Sequence, residues 1–145
     1  GEINSVLLEQ LNKIRFYKKS PPKSLGVEWL NQHFYPVLDS IQDHKIKLRT
    51  YVEHIAIQIA QQLKTAKINS VMITGGGALN TFLIDRIGSH YSGKIVIPDN
   101  ELINFKEAIV FAFLGALYLS GRSNTLSSVT GAKKDTTGGV LHTPF

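Results

Sequence analysis

The sequence predicts an α/β fold, a small mixed sheet packed with helices, on three observations. A β-type run, Ser70-Val71-Met72-Ile73-Thr74, ends in Gly75-Gly76-Gly77-Ala78-Leu79-Asn80. A helical pattern over 80–90 and a second short β-type run at 94–97 follow at once, a strand–turn–helix–strand unit with a right-handed crossover. Leu48, Tyr51, Val52, Ile55, Ile59 and Leu63 recur at spacings of three and four, the inward face of an amphipathic helix over 45–65 with Ala56 and Ala60 allowing close approach. Residues 105–120 are apolar almost all round (Ile109, Val110, Phe111, Phe113, Leu114, Leu117, Leu119), which predicts a helix buried on most sides or packed on another domain.

The remaining elements follow in order. Val6, Leu7, Leu8, Leu11, Ile14 and Phe16 give residues 3–17 a helical face, which Ser20-Pro21-Pro22 stops because proline cannot continue a helix. Lys23-Ser24-Leu25-Gly26 reads as a loop. Residues 27–35 read as a short helix with Trp29, Leu30 and Phe34 inward, which Pro36 ends or turns into another. Pro98-Asp99 stops the second strand. Gly121 suits the cap of the apolar helix. The tail 122–145 is rich in Ser, Thr and Gly and carries a short candidate strand at 139–142. Two or three strands make a thin sheet for 145 residues. Gly1 is not a start methionine, and the opening already looks like a helix in progress, so the expectation is a piece of a larger protein.

Composition narrows the function classes. Apolar residues make up 43% and charged residues 19%, as in a globular domain. No apolar run reads as long enough to span a membrane and no signal peptide is recognisable, so the expected location is cytoplasmic, with no membrane partner. The chain lacks cysteine, which excludes disulfides and thiolate metal sites. Net charge is +5, with the basic residues divided eight and eight between 1–50 and 51–145. The clusters Lys18-Lys19 with Lys23 and Lys133-Lys134 are not interleaved with aromatics, so no nucleic-acid partner is expected.

The glycine turn carries the chemistry. Glycine lets a ligand touch bare backbone, and the helix start adds free N–H groups and a positive dipole end, which together suit a nucleotide. Gly75-x-Gly77-x-x-Asn80 lacks the third glycine of a dinucleotide fingerprint, although Asp99 follows a strand at a suitable distance; no Gly-Lys-Ser/Thr follows, so there is no P-loop. Asn80 suits either a ribose or phosphate contact or the N-cap of its helix. Glu107, three residues after Asn104, suits a capping box or a sugar hydroxyl. His33, His44, His54, His90 and His142 form no ligand spacing, and each reads as a surface or boundary residue. There is no nucleophile elbow, and Asp39, Asp43 and Asp135 have no acid–base partner pattern. The residues alone read as a nucleotide-binding half-site with no catalytic machinery; a non-enzymatic nucleotide-binding or regulatory module and a Rossmann-type oxidoreductase half are the alternative classes.

Four ordered motifs resemble the C-terminal half of the anhydro-N-acetylmuramic acid kinase family. They are Pro21-Pro22-Lys23-Ser24-Leu25-Gly26, Ile73-Thr74-Gly75-Gly76-Gly77-Ala78-Leu79-Asn80, Lys106-Glu107-Ala108-Ile109-Val110-Phe111-Ala112 and Ser128-Val129-Thr130-Gly131-Ala132. The resemblance implies the actin, Hsp70 and sugar-kinase superfamily, with residues 1–145 forming a partial ribonuclease-H-like lobe that faces the nucleotide. It implies a kinase of cell-wall recycling that uses ATP and Mg2+ to open the 1,6-anhydro bond of an amino sugar and phosphorylate its 6-oxygen. The phosphate loop and the water-activating aspartate would lie in an N-terminal lobe absent from this chain, which would then be inactive alone. Gly75, Gly76, Gly77 and Asn80 would bind the nucleotide and Glu107 the sugar; no catalytic residue and no metal ligand is assigned here, and a homodimer is left open. Two departures stand out: Leu25 where the family has threonine, and the stretch between Asp99 and Lys106.

Overall fold

The computed structural model describes residues 1–20 and 23–142, so the Pro21-Pro22 stop lies outside the described residues. The chain divides into two compact units, Gly1–Ile97 and Pro98–Phe145.

The first unit is organised on one long helix. Helix α1 (Ser5–Asn12) is shorter than the pattern over 3–17 predicts; Asn4 caps it by accepting from the Leu7 amide, and a 3-10 turn, Arg15–Lys18, follows. A continuous helical stretch then runs through α2 (Val27–Trp29), a π-helical turn (Leu30–Phe34) and α3 (Tyr35–Leu38). Pro36 does not end it but stands in the first turn of α3, the second of the two outcomes expected for it. Proline cannot donate to the carbonyl four residues back, and the wide turn just before it, with the Tyr35 amide bonded to Leu30 O, absorbs that loss. Helix α4 (His44–Thr65) starts at Asp43, whose carboxylate accepts from the Lys45 and Ile46 amides.

The N-terminal half of α4 faces a cluster built on Leu7, Leu11 and Phe34, flanked by Trp29, Leu30, Val37 and Tyr51. Its C-terminal half faces a second cluster of Ala56, Ala60, Ile87 and Tyr91, flanked by Leu63, Val71, Leu83 and Ile95. Strands β1 (Ser70–Met72) and β2 (Lys94–Val96) pair in parallel, Ser70 with Lys94 and Met72 with Val96, and α5 (Thr81–His90) connects them. Both strands are shorter than read, since with one partner each the ladder ends near the Ile73 amide bond to Val96 O, 3.0 Å.

The second unit holds α6 (Asn100–Leu119), α7 (Ser127–Thr130) and the tail. Helix α6 begins at Asp99, which accepts from the Leu102 amide at 2.8 Å, several residues before the expected start. It is not a buried helix: Phe105, Ile109, Phe111, Phe113 and Leu119 are all more than half exposed. By length and apolar composition it would suffice to cross a membrane, contrary to the expectation that no run reaches that length. Asn124 ties the tail back to the helix, donating to Leu114 O and Gly138 O and accepting from the Gly138 amide. The candidate strand at 139–142 is not formed. With no neighbour to complete a ladder, pairing in the tail is confined to a Thr125–Thr136 antiparallel bridge among the described residues.

Candidate functional site

The glycine turn forms as a backbone surface. Gly75 takes φ 74°, ψ −176°, a conformation essentially restricted to glycine, and turns the chain out of β1 into a 3-10 turn, Gly76–Leu79. A Cβ placed on Gly76 or Gly77 would meet no atom within 4 Å, so space for a ligand lies directly against their backbone. Their amides open the turn, where no helical acceptor is available to them. Ala78 is buried and holds the turn to the unit. Asn80 Oδ1 accepts from the Leu83 amide at 3.0 Å, so it caps α5.

Gly75, Gly76, Gly77 and Asn80 are therefore brought together in one turn at the start of a ten-residue helix. Glu107 belongs to the other unit. It lies inside α6 rather than at its start, so the capping box with Asn104 does not form. The actual cap is Asp99, which also accounts for that residue without a dinucleotide role. Glu107 is exposed and makes no hydrogen bond or ion pair among the described residues. An apolar groove of about 430 Å³, lined in part by Phe111, Leu114 and Tyr118, is found in this unit but includes neither Glu107 nor any acidic or basic side chain.

The sequence reading missed a buried polar layer on α4. Thr50, Glu53 and His54 are at most 4% exposed. Thr50 Oγ1 accepts from the Asn4 amide. His54 is fully enclosed rather than a surface or boundary residue: Nδ1 pairs with Asn12 Oδ1 at 2.7 Å and Nε2 with Tyr17 Oη at 2.9 Å. Desolvation lowers its pKa to about 4, so it is a neutral ring that donates to Asn12 and accepts from Tyr17. Glu53 accepts from Arg49 Nη1 (2.6 Å), Arg86 Nε (2.8 Å), Arg86 Nη2 (3.0 Å) and His90 Nε2 (2.7 Å). The Arg86 bonds above all, then those from Arg49 and His90, outweigh burial and hold its pKa at about 2. The only local signal for this cluster was the i,i+4 spacing of Arg49 with Glu53, which reads equally well as a surface pair.

A parallel strand pair joined by a helix, with an open glycine turn at the helix start, defines a mixed α/β protein. The family model described as anhydro-N-acetylmuramic acid kinase matches residues 1–144. Three curated proteins of that name are similar over nearly the whole chain. The one from Mannheimia succiniciproducens is 31% identical over 97% of the chain and 42% of its own length. Those from Crocosphaera subtropica and Hahella chejuensis are each 33% identical, over 100% and 98% of the chain and 41% and 40% of their own lengths. This chain belongs to the anhydro-N-acetylmuramic acid kinase family, and it spans about two fifths of the length of the curated relatives it matches. Membership sets aside the oxidoreductase half.

Proposed function

We propose that this chain is the nucleotide-facing C-terminal lobe, of ribonuclease-H-like type, of a two-lobe cytoplasmic sugar kinase. The complete protein would convert 1,6-anhydro-N-acetylmuramic acid to N-acetylmuramic acid 6-phosphate, adding water across the anhydro bond and moving the γ-phosphoryl group of ATP to the freed 6-oxygen. The observation that carries the reading is the open backbone surface at Gly76 and Gly77, beside the capped start of α5. Those residues fit an adenine nucleotide: bare amides and a helix N-terminus donate to ribose and phosphate oxygens, and no side chain fills the space. ATP supplies the phosphoryl group, and this chain's part is to hold and orient it. Mg2+ finds no such fit, because no cluster of three or more acidic or imidazole side chains occurs among the described residues. The water-activating base and the phosphate loop belong to the N-terminal lobe in this reading, so the chain alone would turn over no sugar.

Replacing Gly76 by valine puts a branched side chain into the ligand's space. In the complete protein, Gly76→Val is expected to weaken ATP binding about tenfold, or 1.4 kcal/mol, with the sugar KM little changed. Unchanged ATP affinity in a folded variant, or tighter binding of NAD than of ATP, would overturn the assignment.

Glu107 is assigned to the sugar side. Its place inside α6, unpaired among the described residues, removes the stability role that a cap would have had. Glu107→Gln should therefore leave unfolding free energy within about 0.5 kcal/mol while lowering kcat/KM for the sugar. Unaltered kinetics would end that role.

A further inference from the structure

We propose that Glu53 is a positioning residue for the nucleotide-facing turn, acting through α5; this rests on the nucleotide reading of residues 75–80. One buried carboxylate holds α5 at two successive turns. Arg86 grips it with both ends of its guanidinium fork, and His90, four residues on, donates to the same Oε1 that Arg86 Nη2 reaches. Arg49, held by Glu53 from within α4, lies over the Phe82 ring at 5.2 Å, which adds a third point of attachment in the first turn of α5. That first turn follows directly on Asn80 and the glycines.

The apolar contacts between the two helices are less directional. Ala56 and Ala60 meet Ile87 and Tyr91 with Ile59, Leu63 and Leu83 packed beside them, and such non-directional burial sets the separation of the helices more than their register. Directional, charge-assisted bonds do fix it. A buried ion cluster is also a poor source of stability, since well-packed apolar residues of similar volume commonly replace one at no loss. The cluster is therefore best explained by where it holds α5, and with it the backbone amides at the helix entrance, since small misplacement of a binding group costs much of its effect.

The test compares four forms of the complete protein: wild type, Gly76→Val, Arg86→Lys, and the apolar double variant Glu53→Met with Arg86→Met. ATP affinity by calorimetry, sugar KM, kcat and melting temperature are measured for each. The double variant is expected to stay folded with ATP affinity about tenfold weaker and sugar KM within about twofold of wild type. Arg86→Lys keeps the charge but loses the fork, and should fall between the two. Wild-type ATP affinity in the folded double variant overturns the proposal, as does an equal loss for ATP and sugar. Should the double variant fail to fold, Arg86→Lys decides: an ATP-selective loss supports positioning, and no loss refutes it. If Gly76→Val binds ATP normally, the nucleotide reading itself fails and this proposal falls with it. If Gly76→Val loses ATP while the Glu53 and Arg86 variants keep it, only the positioning role fails.

Discussion

Helices α4 and α6 are nearly equal in length and opposite in how they treat apolar surface. Helix α4 carries Lys, Arg, Glu and His through its sequence yet has five buried residues, of which three are polar: Thr50, Glu53 and His54. Helix α6 is apolar almost all round and has a single buried residue, Ile103. The hydrophobic effect rewards burial only where a complementary surface exists to receive it. For α4 that surface is supplied by α1, Phe34, the strands and α5, and by polar partners that leave no buried side-chain nitrogen or oxygen unpaired among the described residues. Composition alone would have ranked the two helices the other way.

The largest expected effect tests the buried side of this contrast. Glu53→Ala leaves Arg49, Arg86 and His90 facing one another without their acceptor. Breaking a buried pair from one side costs about 3–5 kcal/mol, measured by urea unfolding. The matching change on α6, Phe111→Ser, removes a larger apolar group from a site 71% exposed and should cost no more than about 0.5 kcal/mol. A loss above 2 kcal/mol for Phe111→Ser would show that this face of α6 is covered in solution and would collapse the comparison.

A smaller effect is the pH dependence that only α4 should carry. The His54 pKa falls from 6.5 to about 4 on folding, so the unfolded chain binds the extra proton between those values. Stability from the neutral ring is full above pH 6.5 and is lost as pH drops through 4, by about 2–3 kcal/mol. Glu53 adds a second loss at lower pH, since its stabilisation is complete above 4.5 and disappears toward 2. Unfolding free energy measured from pH 7 to 4 should show the first slope, and His54→Gln should flatten it. A slope unchanged by that substitution would mean that the ring titrates freely and is not enclosed.

What was legible in the sequence follows the range of the interactions involved. Periodicity located α4, α5 and the strand–glycine–helix unit, because those depend on spacings of two to four residues. The start of α6 was misplaced because Asn104 and Glu107 also fit a capping pattern, while Asp99, directly after Pro98, had been read as the end of a strand. Leu48 was expected inside and is 62% exposed, whereas His54, read as a surface or boundary residue, and Glu53, which no pattern singled out, are buried. Their partners Arg86, His90, Asn12 and Tyr17 lie 33 to 42 residues away in the chain, a distance over which no local pattern operates. The glycine turn was legible as a turn between strand and helix because its signal is local, while the Glu53 cluster was not.

The smallest expected effect compares how the two helices end, because both use the same cap. After α4, the Ile68 amide bonds Leu63 O at 2.9 Å and the Lys67 amide bonds Lys64 O at 3.0 Å. After α6, the Arg122 amide bonds Leu117 O at 2.9 Å and the Gly121 amide bonds Tyr118 O at 3.0 Å. Each is a Schellman arrangement whose pivotal residue must be left-handed. Gly121 meets that requirement at φ 67°, but Lys67 adopts φ 53° with a side chain that crowds its own backbone. The left-handed conformation costs a non-glycine residue roughly 1–2 kcal/mol, partly offset by the greater freedom that glycine has in the unfolded chain. Lys67→Gly should thus stabilise the protein by about 0.5–1 kcal/mol, and Gly121→Lys should destabilise it by a similar amount. Both are read as opposite shifts in the midpoint of urea unfolding. A Lys67→Gly variant less stable than wild type would mean that the lysine side chain makes a favourable contact at this cap large enough to outweigh its backbone strain.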